Sequence, residues 1–378
     1  MSWKRTLIDN AVGCVAALTA PRRSANNPPT AVFVLRNNDL GDVLTATPLF
    51  EALKRLWPHA RVLAGVGDWA VPLLGHNPHV DEVVSLNAPW HNHVRARHSA
   101  SSLRGLADAL RYLGSSPEVR ALGRRRVDVG VDVLGSPQGA LLFLRAGIPR
   151  RVGVRGYAGN GGGDTDTIVY SENEYVGRSA LRQAESLGLA EDRWPAMRPQ
   201  IFLAPSELAA AEAAWNGVVP ARRLLVGLGG GHLEKCWPTA HVRTVLETLA
   251  AQEGWCILLV GGPGDQAAGT ELARGLPGVR NLAGSVSLRD TLALAATAGR
   301  VLCNSSFVMH AAAAFDRPTV IVLGPAYSSA RVHAAQWSCN PHARVLGPEP
   351  EQPALTSPAA VVATLLGLPP AEPWSVSV

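Results

Sequence analysis

The sequence predicts an α/β protein of two doubly wound, Rossmann-like domains facing across a cleft, and three observations carry that expectation. Short apolar or β-branched runs, glycine-bearing loops and helix-periodic stretches alternate through both halves of the chain, the pattern of parallel sheets covered by helices. A proline-bounded extended connector, Trp194-Pro-Ala-Met-Arg-Pro199, interrupts the alternation near the middle. The length, 378 residues, suffices for two domains that each bury a core. The expected divisions are residues 1–29, a helix and linker; 30–195, the first domain; 200–340, the second; and 341–378, a tail and last helix returning toward the first domain.

Each element follows from local chemistry. Leu7, Ile8, Ala11, Val12, Val15 and Leu18 fall at helical spacing behind Lys4 and Arg5. Asp9 and Asn10 break the apolar stretch, which favours an amphipathic helix, docked on the body or on a membrane surface, over a cleaved signal peptide. Residues 31–35 form an apolar run suited to a strand covered on both faces. Asn37, Asn38, Asp39 and Gly41 then cluster as turn residues. Leu49, Leu53, Leu56 and Trp57 share one helical face, and Pro48 starts that helix near Thr47 or kinks it there. Further strands are expected over 61–66, 81–86 and 126–133, and helices over 103–113, 140–146 and 174–187, the last closed by Gly188. The Gly159-Asn-Gly-Gly-Gly163 run reads as a plain linker or crossing. In the second half Ser206 caps a helix to residue 215, strands occupy 223–228, 255–260, 300–303 and 319–323, and helices 238–252, 288–298, 308–314 and 361–366.

Composition narrows the function classes. No run of about 18 apolar residues occurs, so no membrane-spanning helix is expected. Cys14, Cys236, Cys256, Cys303 and Cys339 form no Cys-x-x-Cys pair and no metal spacing, and an odd, scattered set suits reduced thiols in the cytoplasm. Lys4, Lys54 and Lys235 are the only lysines, so the basic balance is almost wholly arginine. No nucleic-acid motif or aromatic–basic platform is present, and no nucleic-acid partner is expected; an anionic small molecule or lipid head group fits better. The basic runs 91–98 and 124–126 read as solvated loops or as grips for an anionic acceptor.

Asp42 stands past the C-terminal end of the first strand, where open α/β sheets hold ligands; its spacing equally suits a helix-start cap. Gly229-Gly-Gly-His-Leu-Glu-Lys-Cys-Trp-Pro238 combines glycines that let a backbone approach phosphate with a helix starting near Pro238, whose positive end faces the loop. Its glycines make only half of a dinucleotide fingerprint, and there is no P-loop.

The strand, the Gly41-Asp42 loop and the Thr47-Pro48 helix resemble the N-terminal signature of glycosyltransferase family 9, the ADP-heptose:lipopolysaccharide heptosyltransferases. Lys235-Cys-Trp237-Pro238 resembles the family's Lys-x-Trp-Pro, and the likeness runs over residues 31–337. The resemblance implies a GT-B fold and an inverting, metal-independent transferase without a cofactor. Its donor would be a nucleotide sugar, by resemblance ADP-heptose. Its acceptor would be a saccharide, a glycolipid or a small natural product such as an aminoglycoside. It implies Asp42 as catalytic base and Lys235, with Gly229, Gly230 and Gly231, on the donor phosphates. Gly261 and Gly262 would lie by the nucleoside, Ser285 and Leu288 beside the base, and Asn304, Ser305, Ser306 and His310 at the donor. His310 is equally a satisfied helix histidine. Four positions depart from the pattern. Ser305 stands where the family has Asp and Phe307 where it has Gly, while Gly324-Pro-Ala-Tyr327 replaces Gly-Pro-Thr-Asp. These departures leave open an altered donor or an inactive relative that serves as a binding protein. A nucleotide-sugar epimerase would need paired carboxylates that the sequence does not display. The expected location is cytoplasmic, either free or peripheral to the inner face of the membrane.

Overall fold

A computed structural model describes residues 3–19 and 27–371. The chain divides into two compact units, Met1–Met197 and Arg198–Val378.

The first unit runs α1 (Trp3–Thr19), β1 (Ala31–Leu35), α2 (Leu40–Leu56), β2 (Arg61–Val66), β3 (Glu82–Ser85), α3 (Leu103–Ser115), α4 (Pro117–Arg124), β4 (Val129–Asp132), α5 (Pro137–Arg145), β5 (Arg150–Arg155), β6 (Asp166–Val169) and α6 (Val176–Ser186). Its six strands pair in parallel in the order β3-β2-β1-β4-β5-β6. Every residue of β1 is buried, as a central strand covered by helices requires. Phe33 meets Phe143 edge to face, centroids 6.0 Å apart at 82°, within the favoured aromatic geometry. The Phe33 ring occupies the space over Gly65, where a Cβ would come within 2.2 Å of it, so glycine in β2 makes room for the aromatic core.

The second unit runs α7 (Pro205–Ala214), β7 (Arg223–Gly227), α8 (Thr239–Ala250), β8 (Cys256–Val260), α9 (Gln266–Ala273), β9 (Val279–Asn281), α10 (Leu288–Thr297), β10 (Arg300–Cys303), α11 (Phe307–Ala314), β11 (Thr319–Val322), α12 (Ala330–Trp337), β12 (Ala343–Leu346) and α13 (Pro358–Gly367). Its parallel sheet has the order β12-β11-β10-β7-β8-β9. Numbered within each unit, both sheets have the Rossmann order 3-2-1-4-5-6, whose direction of winding reverses between the first and fourth strands. Those reversals fall between β1 and β4 and between β7 and β10. Ligands of open α/β sheets bind outside the carboxyl ends of such strand pairs, which points to the loops after Leu35, Gly227 and Cys303.

Several expectations need correction. α2 begins at Leu40, not near Thr47, and carries Pro48 inside it. Proline leaves the Leu44 carbonyl without its usual N–H donor; the Thr47 hydroxyl takes that place at 2.7 Å. Ser206 lies inside α7 and does not cap it; instead the Glu207 carboxylate accepts the Ala204 N–H at 2.7 Å. The last helix does not return to the first unit. α13 packs on α8 and β11, with Val361 and Leu365 in the second core, and both Nε and Nη2 of Arg300 hold the Leu368 carbonyl, at 2.9 and 2.7 Å. The glycine run 159–163 is a seat rather than a plain linker: α1 lies so close that a Cβ on Gly162 would be 2.1 Å from the Asp9 carbonyl.

Candidate active site

In the first unit the loop after β1 is built to present one acid. Asn37 Nδ2 donates to the Trp90 carbonyl at 3.3 Å and Asn38 Nδ2 to that of His91 at 2.7 Å. Asp39 accepts the His93 N–H at 3.0 Å and contacts its imidazole Nδ1. Three consecutive polar residues thus rivet this loop to the segment 90–93. Asp42 sits in the first turn of α2, and its Oδ1 accepts from Arg36 Nη2 at 2.9 Å. Arg36 also donates through Nε to the Asp42 carbonyl at 3.2 Å. Arg36 is 5% exposed and Asp42 23%, and Arg36 Nη1 is buried without a hydrogen-bond partner. Burial pushes the Asp42 carboxyl above its ordinary value, against the pull of the Arg36 charge. Tyr157, stacked on Tyr170 with centroids 4.4 Å apart, feels the charges of both Arg36 and Asp42. The arrangement holds a carboxylate more basic than usual, fixed in direction and open to solvent on one side.

In the second unit the loop after β7 is pinned from two sides. Asn304, just past β10, accepts the Trp237 N–H at 2.9 Å and donates to the Leu228 carbonyl at 2.8 Å. Gly324 N donates to the Lys235 carbonyl at 3.1 Å and Ala326 N to that of Glu234 at 2.9 Å. A Cβ at Gly324 would lie 2.4 Å from the Cys236 carbonyl, so this contact needs glycine. Gly231 has φ +76°, the left-handed region glycine occupies without strain. Lys235 is partly exposed and joins no ion pair among the described residues. Asp265 accepts the Gly262 N–H at 2.8 Å, and its carboxylate lies against Gly229 and Gly261, where Cβ atoms would approach to 3.0 and 2.6 Å. A cavity of about 150 Å³ opens here, lined by Leu233, Cys236, Trp237, Thr239 and Asp265.

A neutral cluster borders this loop. The Ser305 hydroxyl is 2.7 Å from His333 Nε2, and the Tyr327 hydroxyl bonds to Ser305. The Tyr327 and His333 rings meet edge to face at 5.1 Å. Burial, aided by the Lys235 charge, pushes His333 down to about 4, so its imidazole is uncharged at neutral pH. His333 Nδ1 and Ser306 Oγ are buried without hydrogen-bond partners.

Comparison with known proteins decides the family. Residues 118–359 match the family model described as glycosyltransferase family 9 (heptosyltransferase). The chain belongs to glycosyltransferase family 9. It is 27% identical over 312 residues to lipopolysaccharide heptosyltransferase 2 of Salmonella typhimurium, spanning 78% of this chain and 82% of that protein. The fold is similar to Escherichia coli ADP-heptose lipopolysaccharide heptosyltransferase II, with TM-score 0.66, 24% identity, and 89% and 98% of the two chains covered. It is also similar to a family 9 glycosyltransferase from Veillonella parvula, with TM-score 0.69, 16% identity, and 89% and 97% covered. The two Rossmann-like units are those of a GT-B transferase.

The structure sorts the family 9 residues expected from sequence. Gly229, Gly230, Gly231 and Lys235 share one loop with the cavity, and Gly261 and Gly262 adjoin it through Asp265. Ser285 bonds the Leu282 carbonyl at 2.9 Å within its own turn, and Leu288 opens α10 beyond the Ser287 cap. Asn304 is a clamp: its amide oxygen and nitrogen both hold backbone. His310 is buried in α11, and burial pushes it down to about 3, which suits the packed helix histidine that the sequence left open. Arg125 of the basic run 124–126 is bound to Glu82. Sequence reasoning missed Arg36, His333 and Asp265. Only Asp265 had a local signal, as the acid ending Gly261-Gly-Pro-Gly-Asp265.

Proposed function

We propose that this glycosyltransferase is an inverting, metal-independent heptosyltransferase acting on a lipopolysaccharide-type acceptor. The Asp42 carboxylate takes the proton of the acceptor hydroxyl as that oxygen attacks the anomeric carbon of the nucleotide-bound sugar. The bond to the nucleoside diphosphate breaks on the opposite face, so one displacement inverts the configuration. The departing diphosphate gains negative charge. Backbone N–H groups of the glycine loop 229–231, the N-terminus of α11 and the Lys235 ammonium would receive it. Asp265 has the acceptor oxygens to hold a ribose diol beside the glycines. The observation that carries this reading is the Arg36–Asp42 pair at the carboxyl end of β1, an acid held open and made more basic by burial.

ADP-heptose as donor rests on the relatives, one named as an ADP-heptose enzyme and others as lipopolysaccharide heptosyltransferases. The Ser305–Tyr327–His333 cluster favours a second reading at the same site, a donor whose sugar differs from heptose at that edge. Metal independence is part of this proposal and is tested with EDTA. A cytoplasmic location is supported by five free cysteines. The experiment is nucleotide release from ADP-heptose and a panel of nucleotide sugars, with and without a lipid-linked saccharide acceptor and with EDTA. Acceptor-dependent release that survives EDTA and yields the inverted glycoside supports the reading. Release that ignores acceptor, or retained configuration, refutes it.

A further inference from the structure

α1 is built inside out for an ordinary surface helix. Its inner face, packed against α5 and the glycine seat, carries Asp9 at 3% exposure beside Val12 at 4% and Ala16 at 8%. Its outer face leaves Leu7 57%, Val15 42% and Leu18 86% exposed, with Ala11 and Cys14 exposed between them. At 3.6 residues per turn these five positions form one stripe, opposite Asp9. A helix evolved only to face water would turn these residues inward and the acid outward.

The charge pattern identifies what covers the stripe. Asp9 is the only acid in the first 38 residues, and it is buried, whereas Lys4 and Arg5 begin the helix and Arg22 and Arg23 follow it in sequence. Arg22 and Arg23 lie outside the described residues and enter here only as sequence charge. An apolar stripe with basic flanks and no exposed acid complements an anionic lipid surface. No helix among the described residues is long and apolar enough to cross a membrane, so α1 would lie on the bilayer and not span it. We propose that α1 is an interfacial helix whose Leu7-Ala11-Cys14-Val15-Leu18 stripe inserts into an anionic bilayer while its inner face stays docked on the first unit. This holds independently of the transfer chemistry, and it would bring an active site for a lipid-linked acceptor to the surface that carries the acceptor.

The test uses the full chain and no substrate. The protein is sedimented with vesicles of phosphatidylethanolamine and phosphatidylglycerol, and with phosphatidylcholine vesicles alone. Binding is expected to the anionic vesicles, weakened by salt. The variant Leu7→Asp/Leu18→Asp should bind at least about 10-fold more weakly, since each leucine lost from an apolar interface is worth about that factor. Its melting temperature should be unchanged, because both side chains face solvent. The variant Lys4→Ser/Arg5→Ser, which leaves the stripe intact, should lose several-fold in affinity for anionic vesicles and nothing for neutral ones. Failure of the wild-type chain to bind anionic vesicles overturns the proposal, as does equal binding by wild type and either variant. A concentration-dependent dimer that the leucine changes dissolve, with no vesicle binding, would assign the stripe to a second copy and also overturn it.

Discussion

Asp42→Asn keeps the shape of the side chain and removes its charge, so it separates the proton-acceptor role from the helix-start role. General-base catalysis contributes roughly 10²–10⁴-fold, and an amide cannot take the proton, so turnover should fall by at least about 10². Donor KM should change little, because the donor-loop residues lie in the other unit. The structure also bounds the effect on stability. Arg36, 5% exposed, has Asp42 as its carboxylate partner at 2.9 Å, and one guanidinium nitrogen is already unsatisfied. Leaving a fully buried charge unpaired costs about 3–5 kcal/mol, whereas breaking an exposed pair costs about 0–1. With Asp42 23% exposed, the amide oxygen still able to accept from Arg36, and burial already penalising the ionised carboxyl, these effects offset one another and the melting temperature should shift by no more than a few degrees. The raised Asp42 pKa adds a signature. The base form is lost as pH falls through a value above the ordinary 3.8, so the acid limb of kcat/KM should lie above that value and vanish from the residual activity of the variant. The assay is acceptor-dependent nucleotide release across pH, with a melting curve for each protein. Near-wild-type turnover by a folded Asp42→Asn would refute the base assignment.

Three further outcomes follow from the same geometry. Lys235→Ala should weaken nucleotide binding and lower kcat together, with an unchanged melting temperature because a half-exposed loop lysine carries no core; calorimetric titration with ADP checks it. Ser305→Asp should place a carboxylate against His333 Nε2, now 2.7 Å from the serine hydroxyl, and raise that histidine from about 4 toward or above its ordinary value. An NMR titration that leaves His333 unmoved would remove it from this corner. Asp164 is raised to about 8 by burial, with Asp132 and Asp9 reinforcing it. The folded state therefore keeps a proton that the unfolded chain releases near 3.8, so this acid erodes stability as pH rises between those values. Asp164→Asn should raise the melting temperature more at about pH 9 than at about pH 5, and an equal change at both would contradict the burial of that carboxyl.

The central strands were legible from sequence because they are buried on both faces and read as uninterrupted apolar runs, as in Ala31–Leu35 and Cys256–Val260. β5 and the edge strands β6, β9 and β12 were not, since Arg150–Arg155, one strand in from the margin, and Asp166–Val169, at the margin, carry polar residues that break the apolar run. The start of α2 lies ahead of Pro48 although proline is read locally as a first-turn residue, and only the folded helix supplies the Thr47 hydroxyl that satisfies the freed carbonyl. Of the site, the Gly-Asp and Lys-x-Trp-Pro motifs stand within contiguous stretches, where backbone chemistry and family likeness can be read together. Arg36 against Asp42 also lies close in sequence, yet nothing in an arginine after a strand says which carboxylate it will hold. The remaining parts join distant segments: Asn304 to Leu228 and Trp237, Ser305 to His333, Asp265 to Gly229. Local propensity and motif thus determined by themselves the fold class and the two loops proposed to carry the site. Only tertiary structure decided which polar groups clamp backbone and which are left open, because a hydrogen-bonding side chain acquires its role from the partner that folding brings to it.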